Sequence, residues 1–125
     1  MISKKVLLVD DSPLIIERLM VILEDLKKKN YSLFCCGTVF EAKQFLKHLV
    51  PDVLVLDINL SDGSGIDLLE MAKSQSPETF VIMLTNQSGS YYRKLCETLG
   101  ADKFLDKSVD FEMVPVIITT LPVSN

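Results

Sequence analysis

Hydrophobic and polar positions follow two alternating rhythms along this chain. Short, nearly unbroken apolar runs are separated by longer stretches in which apolar residues return every third or fourth position. The first run, Lys5-Val6-Leu7-Leu8-Val9, ends in Asp10-Asp11. Ser12-Pro13 then supplies a capping residue and a proline suited to the first helical position. Ile15, Leu19, Ile22, Leu23 and Leu26 follow at helical spacing, and the pattern fades in Lys27-Lys28-Lys29-Asn30. Ser32-Leu33-Phe34-Cys35-Cys36 reads as a second strand stopped by Gly37. Thr38 and Glu41 have capping-box spacing for a helix with Ala42, Phe45, Leu46 and Leu49 inward. Pro51 resets the chain. Asp52-Val53-Leu54-Val55-Leu56-Asp57 is a third strand, residues 61–65 a loop, and Ile66, Leu68, Leu69, Met71 and Ala72 mark a third helix. Phe80-Val81-Ile82-Met83-Leu84-Thr85 is a fourth strand, followed by a helix from Ser90 to Leu99 closed by Gly100. Lys103-Phe104-Leu105-Asp106 is a fifth strand, and after Lys107-Ser108 an apolar helix carrying Pro115 runs to about Leu121.

Five strand–helix units predict an α/β fold. Strands apolar on both faces belong to a parallel sheet covered by helices on both sides. Right-handed crossovers make a doubly wound five-stranded sheet the simplest closure. No repeat or linker interrupts the pattern, so a single domain is expected over residues 1–125, with a core from about Lys4 to about Leu121.

The ligand crevice of such a sheet lies beyond the carboxyl ends of its strands. Here the first strand ends in Asp10 and Asp11, the third in Asp57 and the fourth in Thr85, while Lys107 follows the fifth. One aspartate at a strand end is usually a helix cap or a turn residue. Three carboxylates, a hydroxyl and an ammonium converging on one rim form a different pattern. Crowded carboxylates raise one another's pKa unless a cation is present, and oxygen ligands of this kind suit Mg²⁺. Lys107 and Thr85 suit phosphoryl oxygens, and an aspartate beside a divalent metal is a nucleophile toward phosphorus.

Composition narrows the field. The 125 residues are 48% hydrophobic and 24% charged, the balance of a soluble globular protein. A net charge of −4 and only two arginines, Arg18 and Arg93, argue against nucleic acid as a direct partner. The longest clearly apolar run, Leu19 to Leu23, is far short of the ~20 residues a membrane span needs, and the N-terminus does not read as a signal peptide. Cys35, Cys36 and Cys96 are odd in number and lack metal-type spacing, which points to the reducing cytoplasm.

Asp10-Asp11, Asp57, Thr85 and Lys107, each at its strand end, together resemble the response-regulator receiver domain of two-component signalling along essentially the whole chain. Gly65, eight residues past Asp57, and Gly100-Ala101-Asp102 also look like that family. The resemblance implies a flavodoxin-like (βα)5 fold and a phospho-acceptor switch rather than a turnover enzyme. Asp57 would accept a phosphoryl group from a phosphohistidine on a sensor histidine kinase or histidine phosphotransfer protein. Asp11 and Asp57 would bind Mg²⁺ directly, Asp10 through water, and the carbonyl of Asn59 would complete the protein ligands. Lys107 would pair with the phosphoryl group, Thr85 would swing in to donate to it, and Phe104 would change rotamer with Thr85. The signal would reach a downstream protein target through the fourth helix, fifth strand and fifth helix, with the last helices also offering a homodimer surface. Asn59 and Gln87 sit where family members tune phosphoryl lifetime.

Three positions depart from the family pattern: Ser61 and Ser108 replace prolines, and Asn86 replaces a small residue. They bear on kinetics and leave every reactive group in place. A haloacid-dehalogenase-like phosphatase fits poorly, because Asn59 cannot act as its general acid and its nucleophile follows the first strand. A phosphorylation-independent docking module of the same fold is the remaining alternative. No Gly-rich phosphate loop follows the first strand. The single histidine, His48, lies away from the rim, Cys35-Cys36 read as small core fillers, and Tyr91-Tyr92 as either an interaction patch or helix surface packing. Leu14, Arg18 and Val21 on the first helix are expected to form a docking surface for the donor.

Overall fold

Side chains that are apolar on both faces of a strand need cover on both faces, and the computed structural model, which describes residues 3–86 and 89–122, provides it. Strands β1 (Lys4–Val9), β2 (Tyr31–Cys36), β3 (Val53–Leu56), β6 (Phe80–Thr85) and β7 (Lys103–Asp106) form one parallel sheet in the order β2-β1-β3-β6-β7. This is the doubly wound sheet expected from the sequence. Helices α2 (Val39–His48), α3 (Gly65–Gln75) and α4 (Ser90–Thr98) cover one face, where Leu7, Leu54, Leu56, Leu68, Met83 and Cys96 pack together. Helices α1 (Pro13–Ile22) and α5 (Met113–Thr119) cover the other, around Leu8, Leu19, Val55, Leu84 and Ile118.

The ends of the elements show what local pattern conveys and what it omits. Ser12 caps α1 through its Oγ, which accepts from the Ile15 amide at 3.3 Å, with Pro13 in the first helical position. The helix then tightens into a 3₁₀ segment over Glu24–Lys29 and ends at Asn30, whose φ of 67° reverses the chain. The last helix is shorter than its apolar run, because residues 106–110 fold into a turn held by Asp106 and Asp110. Pro115 therefore falls in the first turn of α5, where its missing N–H leaves no bond unmade. Cys36 packs half-buried against the core, but Cys35 is exposed rather than core-filling, since β2 is an edge strand with a neighbour on one side only.

Residues 59–64 are not a plain loop. Asn59–Leu60 (β4) and Gly63–Ser64 (β5) pair as a small antiparallel ribbon. Its tip carries Asp62, whose two carboxylate oxygens accept the first amides of α2, Val39 at 2.8 Å and Phe40 at 3.0 Å. Thr38 Oγ1 takes the Glu41 amide, and the Glu41 carboxylate reaches Gly37 N–H, one residue before the partner a capping box prescribes. The bonds from Val39 and Phe40 hold the Asp62 carboxyl below the ordinary carboxylate range. An acid whose pKa falls on folding contributes stability above its unfolded pKa and loses it as pH falls through the folded value. Asp62→Ala is thus expected to unfold at lower temperature than wild type at neutral pH. The two should converge in strongly acidic buffer, as calorimetry across pH would show.

Candidate functional site

Strand register delivers the polar ends to one place. Val9 and Leu56 are Cα partners, so Asp10 and Asp57 leave the sheet side by side. Thr85 pairs with Asp106, which sets Lys107 beside Thr85; the Lys107 amide donates to the Thr85 carbonyl at 3.1 Å. Asp11 continues from Asp10 toward solvent and is exposed, whereas Asp10 and Asp57 are buried. Carboxylate oxygens of Asp10, Asp11 and Asp57 all lie within 4.8 Å of one another. Gly65 lets the start of α3 lie directly against the Asp57 backbone: a Cβ there would overlap the Asp57 carbonyl, and the Gly65 amide donates to Ile58 O at 2.7 Å.

The Lys107 ammonium bridges two of the three carboxylates, at 2.6 Å from Asp10 Oδ2 and 2.8 Å from Asp57 Oδ2. Asp10 Oδ1 also accepts the Ser12 amide at 2.9 Å. Burial pushes the Asp10 carboxyl above its usual range, and the bonds from Lys107 and Ser12 only partly offset it. Burial would lower the Lys107 ammonium, but its bonds to Asp10 and Asp57 prevail and hold its pKa above the usual lysine value. One ammonium cannot neutralise three carboxylates, and the two charges left over match a divalent cation. The exposure of Asp11 leaves a side open to water, as suits Mg²⁺, which retains part of its hydration shell. The donor set fits a hard cation.

The remaining predicted residues surround this centre. Thr85 is fully buried at the end of β6, with exposed Asn86 after it. Asn59 is the exposed first residue of β4. Phe104 is buried on β7, three residues before Lys107, with the Arg93 guanidinium 4.8 Å above its ring. Gln87 lies outside the described residues. His48 is exposed on α2, and Tyr91 on α4 is exposed while Tyr92 packs on the core.

The response regulator receiver domain family model matches residues 6–119, nearly the whole chain. The chain belongs to that family. The receiver domain is 32% identical over 120 residues to the response regulator protein PilR of Pseudomonas aeruginosa, covering 96% of this chain and 26% of PilR. It is 28% identical to the photosynthetic apparatus regulatory protein RegA of Cereibacter sphaeroides, covering 86% of this chain and 57% of RegA. It thus spans about half or less of the length of these curated relatives. Among solved structures, the BeF3-activated receiver domain of DrrB matches with a TM-score of 0.81 at 28% identity over 94% of this chain and 96% of that one. A CheY-like receiver from Methanospirillum hungatei matches with a TM-score of 0.83 at 26% identity, over 94% and 91%.

Sequence reading missed three features of this receiver domain. Asp62 bonds to residues more than twenty positions away, and the arginines sit over phenylalanine rings. Only the D-G dipeptide at Asp62-Gly63 hinted at a tight ribbon.

Proposed function

We propose that this receiver domain accepts a phosphoryl group on Asp57 and switches a protein-binding surface in response. The observation that carries this reading is the joint placement of Asp10, Asp11 and Asp57 within 4.8 Å, with Lys107 bonded to two of them. An Asp57 oxygen attacks phosphorus in line, the bond from phosphorus to the donor's imidazole nitrogen breaks, and an acyl phosphate forms on the aspartate. Asp11, Asp57 and the Asn59 carbonyl, with Asp10 behind, would hold Mg²⁺, which would supply charge neutralisation for the incoming phosphoryl oxygens. Lys107 exchanges its bond to Asp57 Oδ2 for one to a phosphoryl oxygen and so keeps its charge paired throughout. Thr85, buried beside the Lys107 amide, donates its hydroxyl to another.

A phosphoryl group adds about −1.5 to −2 charge and three strong acceptors. Thr85 and Lys107 meet it in one loop arrangement only, so phosphorylation biases the domain toward that arrangement. Phe104, three residues before Lys107, follows it and relays the change to α4, β7 and α5, the face for a downstream protein or a second copy of the chain. The donor is a sensor histidine kinase or histidine phosphotransfer protein. Three thiols without disulfides suit the reducing cytoplasm. The domain is a switch rather than a turnover enzyme.

Intact mass after incubation with acetyl phosphate and Mg²⁺ tests the reading. One phosphoryl group should be gained by wild type, and none by Asp57→Asn or by wild type stripped of divalent metal. A folded protein that gains none and also fails to bind beryllofluoride would be a docking module instead. The donor is expected to dock on α1, where Leu14 and Val21 are each 65% exposed. Val21→Glu should slow transfer from a phosphohistidine protein at least tenfold while leaving the acetyl phosphate reaction unchanged. Equal slowing of both would remove α1 from the docking surface.

A further inference from the structure

We infer that Arg18 and Arg93 are positioning residues for Lys107, acting from opposite faces of the sheet. The inference rests on the phosphoryl-acceptor reading for its functional meaning but on geometry for its content. The chain has two arginines, and each lies over a phenylalanine that brackets the Lys107 loop. Arg93 of α4 stands with its guanidinium carbon 4.8 Å from the Phe104 ring centre and donates from Nη1 to the Phe104 carbonyl at 3.2 Å. Arg18 of α1 stands 4.1 Å from the Phe111 ring centre. Phe104 packs into the core beneath α3 and α4, and Phe111 into the core beneath α1 and α5. The segment between them, three residues before Lys107 and four after, is therefore pinned at both ends by guanidinium groups from different helices.

The segment needs such pins. Residue 108 is serine, so no ring fixes its φ. The described residues contain no cis peptide, so the chain leaves Lys107 in the ordinary trans form. Internal bonds shape the turn: Asp106 Oδ1 accepts Ser108 N at 2.8 Å, and Asp110 Oδ2 accepts Asp106 N at 3.1 Å. These bonds fix the turn's shape and say nothing about where it sits relative to β1 and β3, which carry Asp10 and Asp57. The pairing of β6 with β7 and the bond from the Lys107 amide to the Thr85 carbonyl set where the segment begins, and Phe104 and Phe111, both nearly fully buried, with the two cations over them, hold it at either end. A guanidinium serves here better than an ammonium, because it stacks flat on the ring while keeping donors for a carbonyl. α1 is also the helix proposed to meet the donor, and α4 the helix proposed to face the target, so each end of the signal touches the lysine loop through one arginine.

The test compares Arg18→Leu, Arg93→Leu, the double variant and the corresponding lysine variants in the ¹⁵N-labelled full chain. The first readout is the Lys107 side-chain ammonium resonance, assigned by its loss in Lys107→Gln. It should be protected from exchange in wild type and broadened or lost in the leucine variants. The second is the phosphorylation rate from acetyl phosphate with Mg²⁺, which should fall roughly two- to fivefold for each leucine variant and further for the double, from the usual strength of an exposed cation–π contact. Lysine should restore part of both signals. An unchanged Lys107 resonance and rate in the double variant, whatever happens to its melting temperature, would overturn the inference. Should wild type take up no phosphoryl group at all, the acceptor reading fails, while the Lys107 resonance still decides the role of the arginines.

Discussion

Gly65→Ala is expected to cost the domain about 3 kcal/mol or more and to lower its melting temperature by about 10 °C or more. The new Cβ would coincide with the Asp57 carbonyl, with its carbon only 2.9 Å away and Ile58 Cα at 3.4 Å. These are backbone atoms, not flexible side-chain ends, so relief requires moving β3 or the start of α3. Both are locked: the Asp57 amide bonds to Val9 O, and the Gly65 amide to Ile58 O. Whatever moves displaces the Asp57 carboxylate from Lys107, so residual folded protein should accept phosphoryl groups at least tenfold more slowly. Thermal melts and intact-mass kinetics on the same sample check both parts. A stable variant with unaltered kinetics would show that the approach is looser than it looks.

The second large effect is expected from Lys107→Ala. Its ammonium holds Asp10 and Asp57 at 2.6 and 2.8 Å, and its side chain is 9% exposed. Removing one partner of a buried ion pair leaves charge uncompensated, and the neighbouring exposed Asp11 lets in some water, which puts the loss near the lower end, at about 3 kcal/mol. The pH dependence has a definite sign. Burial already raises the Asp10 carboxyl and losing the Lys107 bond removes what offsets it, so the variant's deficit is absent at low pH and grows as pH rises through the acid range. Mg²⁺ should restore much of the lost stability, since a cation that binds only the folded state stabilises by mass action. Denaturant titrations at two pH values, with and without Mg²⁺, separate these terms. A deficit that is constant across pH would mean that packing, not charge, was lost.

Much of this was legible because it is local. A strand that is apolar throughout and then acidic announces both a parallel sheet and the place where its crevice lies, and β1, β3 and β6 fall where their apolar runs predict within a residue or two. The site followed from the same signal. What was not legible depends on partners far along the chain. The amides at the start of α2 are taken by Asp62, twenty-three residues beyond Val39, where local pattern offers only Thr38 and Glu41. The short α5 reflects the Asp106–Asp110 turn, which an apolar count through Val109 and Phe111 conceals. Cys35 looked like core because its neighbours in sequence are apolar; the strand order, which no single strand reveals, places it on an edge.

β3 is buried at all four positions and β1 at its last four. In a sheet wetted on one face, a slip of one residue would turn apolar side chains outward, and that penalty sets the alignment. Here such a slip exchanges one buried aliphatic for another, so the apolar residues are nearly blind to alignment. At the rim, the marks that distinguish one setting from its neighbour are the carboxylates at the strand ends, which a slip would drag between the layers without Lys107 to meet them. The acidic residues thus act as end-stops on a sliding scale: the chemistry of the rim tells each central strand where to halt.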